Sequence, residues 1–252
     1  MVRLRVCPFS VVVFFGTAAY LTYQLRNKNT QKRGGDDDNN DGTESKQQAA
    51  STSSSTSGPC QVVFVLGGPG AGKGTQCQLL QERLSGWKHL SAGDLLRAER
   101  KKGGELGDLI NSRIAAGALV PSEVTCQLLL NAMNETSEQK FLIDGFPRSQ
   151  ENLDAWNKTA AASGNVQLEF VLCLTCPEEV LTGRLLERGK TSGRVDDADL
   201  SVIRKRYDTF GKETQPILDY YKAQGGDLLK QIESDQSVEQ VYQQIVVLFE
   251  KI

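Results

Sequence analysis

The chain has 252 residues, enough for one buried core and few for two. Its formal net charge of −2 does not favour a nucleic-acid binder held by phosphate contacts, so we predict no nucleic-acid partner. The six cysteines are dispersed along the chain, which indicates reduced intracellular thiols rather than a disulfide framework. Cys173 and Cys176 form a C-x-x-C pair, but the chain has one histidine and no second such pair, so we predict no zinc site.

Two segments of unusual composition precede the first predicted strand. Residues 9–23 are apolar with basic residues on both sides, so we interpret residues 1–26 as a targeting or anchor segment. We expect a cytoplasmic or also nuclear protein; a membrane tether through residues 9–25 or a mitochondrial address is the alternative. Residues 27–59 are polar and of low complexity, which predicts a disordered linker and places the folded domain at residues 60–252.

Beyond the linker, short apolar runs alternate with helix-length segments. Helices are predicted from Lys73, after Pro177 and from about Ser237. This alternation predicts an α/β fold, a parallel sheet with helices on both faces. The predicted strands are Gln61–Leu66, Lys88–Leu90, Lys140–Asp144, Leu168–Leu174 and Asp227–Ile232.

A glycine-rich turn joins the first predicted strand to the first helix. Residues 67–73 match the G-x-x-x-x-G-K pattern of a phosphate-binding loop, or P-loop. In a P-loop, backbone N–H groups, a lysine and a helix N-terminus surround phosphate oxygens. Gly74 stands before Thr75 where the general pattern has Ser or Thr, so we expect Mg²⁺ to be held mainly by phosphates and waters. Asp144 ends a strand expected opposite the P-loop strand, the place of a Walker-B carboxylate, and is predicted to orient a magnesium-bound water.

Five arginines are expected at loop positions where ligands of open α/β sheets bind. Arginine stays charged and binds phosphate in a bidentate manner, so several arginines favour transfer between two phosphate groups over simple binding. Residues 189–193 lie between Arg188 and Arg194 and predict a short mobile loop. Such a loop can act as a lid that excludes water from the site. We call these residues the arginine set: Arg97, Arg148, Arg188, Arg194 and Arg206.

Several segments in order resemble the adenylate kinase family, and within it the eukaryotic UMP-CMP kinases. The resemblance covers about residues 60 to 252 and implies a P-loop NTPase-type sheet with an NMP-binding region near residues 91–120 and a lid near residues 189–199. It further implies a monomer that uses ATP and Mg²⁺ to phosphorylate UMP, CMP and dCMP in pyrimidine nucleotide biosynthesis. The segments are residues 67–76, 89–97, 141–148 and 187–194.

The same resemblance implies roles for individual residues. ATP would contact Gly70, Ala71, Gly72, Lys73, Gly74 and Thr75, with Arg188 beside its base and the carbonyl of Gln236 at the adenine. The acceptor nucleotide would contact Arg97, Ala118, Leu119, Val120, Gly145, Phe146, Pro147, Arg148, Asn152, Arg194 and Arg206. Catalysis is implied for Lys73, Arg148, Arg188, Arg194 and Arg206.

Two positions favour a pyrimidine as the acceptor base. Ala92 stands where adenylate kinases have Thr, and Asn152 stands where they usually have Gln; the shorter amide suits a one-ring base and can both donate and accept. Ser149 departs from the pyrimidine branch, which commonly has Asn there. A segment before Arg206 is one residue longer than usual, which leaves Arg204 as an alternative to Arg206.

Three alternative functions remain open at this point. The nearest is an adenylate kinase that acts on AMP. From another class, the chain could be a nucleotide-dependent switch, although the Asn-Lys-x-Asp guanine motif is missing from the sequence. A kinase that has lost its activity is the third.

Overall fold

The computed structural model describes residues 59–163, 166–225, 227–250 and 252. The predicted targeting segment 1–26 and the predicted linker, apart from Pro59, lie outside these residues. The described residues belong to one folded unit, Pro59–Ile252. None of the helices described there has the length and apolar character needed to cross a membrane.

A parallel sheet forms the centre of this unit, in the strand order β2-β3-β1-β4-β5. Its strands are β1 (Cys60–Gly67), β2 (Trp87–Ser91), β3 (Lys140–Asp144), β4 (Val166–Thr175) and β5 (Leu229–Glu233). The α/β prediction is therefore confirmed, including the short second strand. The last strand begins at Leu229 rather than Asp227, because Asp227 lies in the turn that precedes it.

Helices connect the strands and cover the sheet. They are α1 (Lys73–Arg83), α2 (Ala92–Lys102), α3 (Gly104–Ala115), α4 (Ser122–Asn134), α5 (Gln150–Ser163), α6 (Glu178–Ser192), α7 (Leu200–Thr209), α8 (Gln215–Ala223) and α9 (Val238–Phe249). The predicted start of α9 is confirmed by a capping box, in which Ser237 and Gln240 satisfy each other's backbone N–H groups.

The prediction of a loop over residues 189–193 is wrong for residues 189–192, which form the end of α6. Nothing before Gly193 breaks the helix, and Lys190 pairs with Glu187 one turn earlier at 2.7 Å. Gly193 ends the helix in the left-handed region with φ 63°, which glycine adopts without strain. A 3₁₀ turn, Val195–Asp197, then leads to α7.

Two apolar cores lie on opposite faces of the sheet. Because side chains alternate along a strand, Phe64 and Leu66 of β1 point into one core and Val63 and Val65 into the other. Helices α4, α5 and α8 close the first core, and α1 and α9 close the second. The sheet is thus fixed from both sides, and the loops at the carboxyl ends of its strands extend from a rigid base.

Candidate active site

A cavity of about 640 Å³ opens at the carboxyl ends of the first three strands. Gly67, Ser91 and Asp144 end β1, β2 and β3 and all line it. Parallel strands deliver their carboxyl ends to one edge of a sheet, which is where ligands of open α/β sheets bind. The P-loop, the start of α2 and the loop 117–120 complete the lining.

The P-loop is closely packed against α6. Gly70 has φ 88°, and a methyl group on it would lie 2.8 Å from the carbonyl oxygen of Leu181. Lys73 begins α1, and its Nζ donates hydrogen bonds to the carbonyls of Gly67 (2.9 Å) and Gly68 (3.0 Å). The ammonium group is therefore held inside the loop, at the helix N-terminus that favours anions.

Lys73 lies among further positive charges. Burial lowers the pKa of Lys73 to about 8, and Arg148, Arg206 and Arg188 lower it as well, whereas Asp144 opposes them. Burial likewise lowers the pKa of Arg148, assisted by Arg206, with Asp144 again opposing. The cavity therefore concentrates positive charge on buried and half-buried side chains, which is an environment suited to phosphates.

The Asp144 carboxylate lies beside the start of α1. A methyl group on Gly74 would lie 3.5 Å from its Oδ2. His89 Nε2 lies 3.6 Å from the same oxygen and has no hydrogen-bond partner among the described residues. Burial alone would raise the pKa of Asp144, but His89, Lys73 and Arg148 hold it below its ordinary value, so the carboxylate is ionised.

These surroundings fit a magnesium ion bound together with a nucleotide. Mg²⁺ usually takes one or two carboxylates and completes its six oxygen ligands with phosphates and waters. The ionised Asp144 lies beside Gly74 of the P-loop, and Thr75 lines the same cavity. Within the described parts of the chain, no three His, Cys, Asp or Glu side chains cluster as a metal site.

All five members of the arginine set line the cavity. Arg148 is fixed by its own turn, because its Nε donates to the carbonyl of Gly145 at 2.6 Å. Arg206 lines the cavity, whereas Arg204 is exposed and does not, so the structure brings Arg206 to the site. The arginines come from four separate segments, and only the folded chain brings them together.

Carboxylates tie the other four arginines together in pairs. Asp94 accepts hydrogen bonds from Arg97 (Nε, 3.1 Å) and from Arg194 (Nη2, 3.3 Å). Asp197 accepts two from Arg188 (2.6 and 2.9 Å) and one from Arg206 (2.6 Å). The arginines are thus held in place by acidic side chains that line or adjoin the cavity.

Ala92 and residues 118–120, which were predicted to form the base pocket, all line the cavity. Ala92 itself is buried. Asn152 also lines the cavity, but its amide is partly occupied by the protein. Its Oδ1 accepts from the backbone N–H of Arg148 (3.0 Å), and its Nδ2 donates to Ser122 Oγ (2.7 Å). One amide hydrogen and one lone pair remain for a ligand, in a fixed orientation.

Comparison with known proteins identifies the family of this chain. Residues 65–226 match the family described as adenylate kinase. The chain belongs to the adenylate kinase family. Similar proteins include the UMP-CMP kinase of Gallus gallus, 48% identical over 196 residues, or 75% of this chain and 97% of the relative.

Two further relatives are of similar closeness. The UMP-CMP kinase of Homo sapiens is 47% identical over 196 residues, covering 75% of this chain and 97% of the relative. The Probable UMP-CMP kinase 1 of Arabidopsis thaliana is 47% identical over 188 residues, covering 75% of this chain and 87% of the relative. The resemblance found in the sequence motifs is therefore confirmed at the level of family.

Four of the residues that the family resemblance implied do not line the cavity. Ala71 and Phe146 are buried in the two cores, where Phe146 packs edge-to-face on Phe64 (5.9 Å) and Trp156 (5.6 Å). Pro147 is buried as well. Gln236 lies in the turn after β5, where its amide contacts Glu233 and Gln244.

Several residues that the structure places in or beside the cavity have no role that the sequence predicted. Asp94, Asp196 and Asp197 bind the arginines, and Thr125 of α4 lines the cavity from the acceptor side. The signal for the aspartates is their position within three residues of an arginine of the set. Thr125 carries no comparable signal, because its place on α4 follows from packing alone.

Proposed function

We propose that this chain transfers the γ-phosphoryl group of ATP to UMP or CMP, and also to dCMP, in pyrimidine nucleotide biosynthesis. The observation that carries the proposal is the convergence of five arginines and a P-loop lysine on one cavity. Two nucleotides bring many negative charges together, and a protein that binds only one of them needs fewer cations. The names and high identity of the relatives support the same substrate class.

The donor half of the site is the P-loop edge of the cavity. Residues 70–75 present backbone N–H groups and the Lys73 ammonium to the phosphates of ATP. Arg188 lies beside the base, and the turn at Gln236 offers its backbone carbonyl to the adenine. Bound Mg²⁺ would neutralise phosphate charge, and Asp144 would orient one of its waters.

The transfer depends on the positioning of the two substrates and on electrostatic stabilisation of the transferred phosphoryl group, with no covalent intermediate on the protein. The reacting phosphoryl group carries its charge on three equatorial oxygens between the donor and acceptor oxygens. Lys73, Arg148, Arg194 and Arg206 stabilise that charge, since they are already held in place before the reaction. We expect no general base, because the acceptor is already an ionised phosphate.

Water must be excluded so that phosphate, not solvent, is attacked. We propose that residues 189–199, the end of α6 with the following 3₁₀ turn, act as a short lid over this reaction. Arg194 supports this role, since it contacts Asp94 of the opposite NMP-binding region in residues 91–120. The lid thereby reaches across the cavity from one substrate region to the other.

The acceptor half is formed by the start of α2 and the loop 118–120. Arg97 and Arg148 bind the phosphate, residues 145–147 supply backbone, and Ala118, Leu119 and Val120 contact the nucleoside. Ala92 leaves space and adds no hydroxyl to the base pocket, and Asn152 offers one donor and one acceptor. A base with one ring fits this arrangement, so AMP is the weaker alternative.

A coupled assay of ADP formation tests the proposal with UMP, CMP, dCMP and AMP as acceptors. We expect UMP and CMP to be converted with the highest kcat/KM. Lys73→Ala and Arg148→Ala should each lower kcat by about a hundredfold or more, since each removes charge from the transition state. Arg204→Ala removes an exposed arginine of α7 and serves as the control. Fastest conversion of AMP, or full activity of Lys73→Ala, would contradict the proposal.

We also propose that residues 9–25 address the enzyme and that the kinase domain acts as a monomer. The apolar run with basic flanks is the observation in favour of an address. Such an address would either tether the enzyme to a membrane or direct it to mitochondria. If residues 9–25 are not an address, we expect the enzyme in the cytoplasm, or also in the nucleus. Light scattering of purified protein tests the monomer.

A further inference from the structure

The side-chain amide of Asn152, which lines the cavity on the acceptor side, is held at both of its ends. Its Oδ1 accepts a hydrogen bond from the backbone N–H of Arg148 at 3.0 Å, and its Nδ2 donates one to Ser122 Oγ at 2.7 Å. Ser122 and Asn152 are both buried. The two contacts come from different segments, since Arg148 lies in the turn before α5 and Ser122 is the first residue of α4.

These two contacts select one orientation of the amide. A backbone N–H can only donate, so it requires the amide oxygen, and not the amide nitrogen, opposite Arg148. Turning the amide over would set Nδ2 against that N–H, donor against donor. The hydrogen bond to Ser122 holds the other end and limits rotation of the amide plane. The remaining hydrogen and lone pair of Asn152 therefore meet a ligand in one fixed order.

The backbone of Asn152 is fixed independently of its amide. Ser149 Oγ accepts a hydrogen bond from the backbone N–H of Asn152 at 3.2 Å, as an N-cap residue does at the start of a helix. The Asn152 carbonyl accepts one from Cys126 Sγ of α4 at 4.0 Å, and Leu153 is buried in the first core. Loss of the Ser122 hydroxyl should therefore release the amide and leave the main chain in place.

A fixed order of donor and acceptor suits uracil better than cytosine. A base that contacts both amide atoms must place a donor opposite Oδ1 and an acceptor opposite Nδ2. Uracil has its N3–H donor between two acceptors, O2 and O4, so it meets this condition whichever way the amide runs along the base edge. Cytosine has its N4 amino donor beside one acceptor, N3, and meets the condition in one direction only. An amide that can turn over suits both bases.

We infer that Ser122 is a positioning residue, which makes the acceptor site prefer UMP over CMP because it holds the Asn152 amide in one orientation. The inference rests on the proposed kinase function. Thr125 lies one turn after Ser122 on α4 and lines the cavity as well. A threonine hydroxyl can donate or accept, so Thr125 does not distinguish the two bases. The choice between them therefore depends on the pair Ser122 and Asn152.

The kcat/KM values of the full-length wild type for UMP and CMP give the first test, which needs no variant. We expect the value for UMP to exceed that for CMP by about threefold to tenfold, since the less complementary base leaves one hydrogen bond unmade. A difference of about twofold or less, or a preference for CMP, would overturn the inference. Conversion of neither nucleotide would instead refute the proposed kinase function.

Ser122→Ala removes the hydrogen bond to Nδ2 and gives the second test. We expect the KM for UMP to rise more than kcat falls, because the reacting phosphates are bound elsewhere, and the ratio of kcat/KM for UMP and CMP to approach one. Ser122→Thr keeps the hydroxyl and should keep most of the wild-type ratio. An unchanged ratio in Ser122→Ala would overturn the inference.

Ser149→Ala is the matched control for Ser122→Ala. It also removes a buried hydroxyl that contacts Asn152, but this hydroxyl binds the backbone N–H and not the amide. We expect a lower melting temperature, from the loss of a helix cap, and the wild-type ratio of UMP to CMP. The same change of ratio in both variants would indicate a general structural effect and would overturn the inference.

A double-mutant cycle tests whether Ser122 acts through Asn152. In an Asn152→Ala background, Ser122→Ala should leave the ratio of kcat/KM for UMP and CMP unchanged, because the amide that it positions is gone. If the two substitutions change the ratio by independent factors that multiply, Ser122 acts on the base without Asn152, and the inference is overturned.

Discussion

The lowered pKa of Lys73 predicts that ATP binds more weakly as the pH rises. Free of nucleotide, Lys73 has a pKa of about 8. Phosphate oxygens favour the charged ammonium, so ATP raises this pKa, and binding above pH 8 takes up a proton. The charged fraction of Lys73 falls from about 90% at pH 7 to about 10% at pH 9, so the Kd for ATP should increase roughly tenfold.

Isothermal titration calorimetry with Mg-ATP measures both quantities. At pH 8.5, the enthalpy of Mg-ATP binding should depend on the ionisation enthalpy of the buffer. The size of this dependence should correspond to the uptake of most of one proton per ATP bound. Lys73→Met should bind ATP weakly at every pH and take up no proton. A wild-type Kd that stays constant from pH 7 to pH 9, with no proton uptake, would refute the reasoning.

The same pKa predicts how stability depends on pH without nucleotide. Lys73 binds a proton more weakly in the folded than in the unfolded chain, where the ordinary value of 10.5 applies. Between about pH 8 and that value the unfolded chain holds more protons, so this group makes the free energy of unfolding rise with pH. Lys73→Met should remove this contribution, as urea unfolding at pH 8 and pH 10 would show.

Three further predictions follow from packing, base recognition and the N-terminal segment. Leu129 of α4 is buried in the core, so Leu129→Ala should lower the free energy of unfolding in urea titrations by about 2–5 kcal/mol. Leu200 is 48% exposed, so Leu200→Ala should lower it by less than about 0.5 kcal/mol. Equal losses would contradict the assigned core. Ala92→Thr should raise the kcat/KM for AMP relative to UMP, because it adds a hydroxyl to the base pocket; an unchanged ratio would remove Ala92 from the selectivity argument. Full-length chain should sediment with membranes or mitochondria on cell fractionation while residues 59–252 stay in the supernatant, and identical distributions would contradict an address in residues 9–25.

The sequence by itself determined the five strands of the sheet and the starts of α1, α6 and α9. Apolar runs of strand length and a glycine-lysine turn are local signals, so β1, the P-loop and α1 follow from short-range chemistry. It also determined the family, because motif residues such as Arg148 occur in register with their spacing intact. Its local signal failed at residues 189–192, where glycine and serine suggested a loop, but a continuous helix packs against the 3₁₀ turn.

The tertiary structure alone decided which side chains share the cavity. Phe146 and Pro147 lie within a binding motif, yet they are buried and do not line the cavity. Asp197 has no role that the sequence predicted, yet it is buried between Arg188 and Arg206. The physical reason is that spacing along a chain fixes a face or a strand end, whereas contacts between separate segments depend on how the helices pack over the sheet. Position in the sequence therefore identified the arginines, and only the fold showed the carboxylate that holds two of them together.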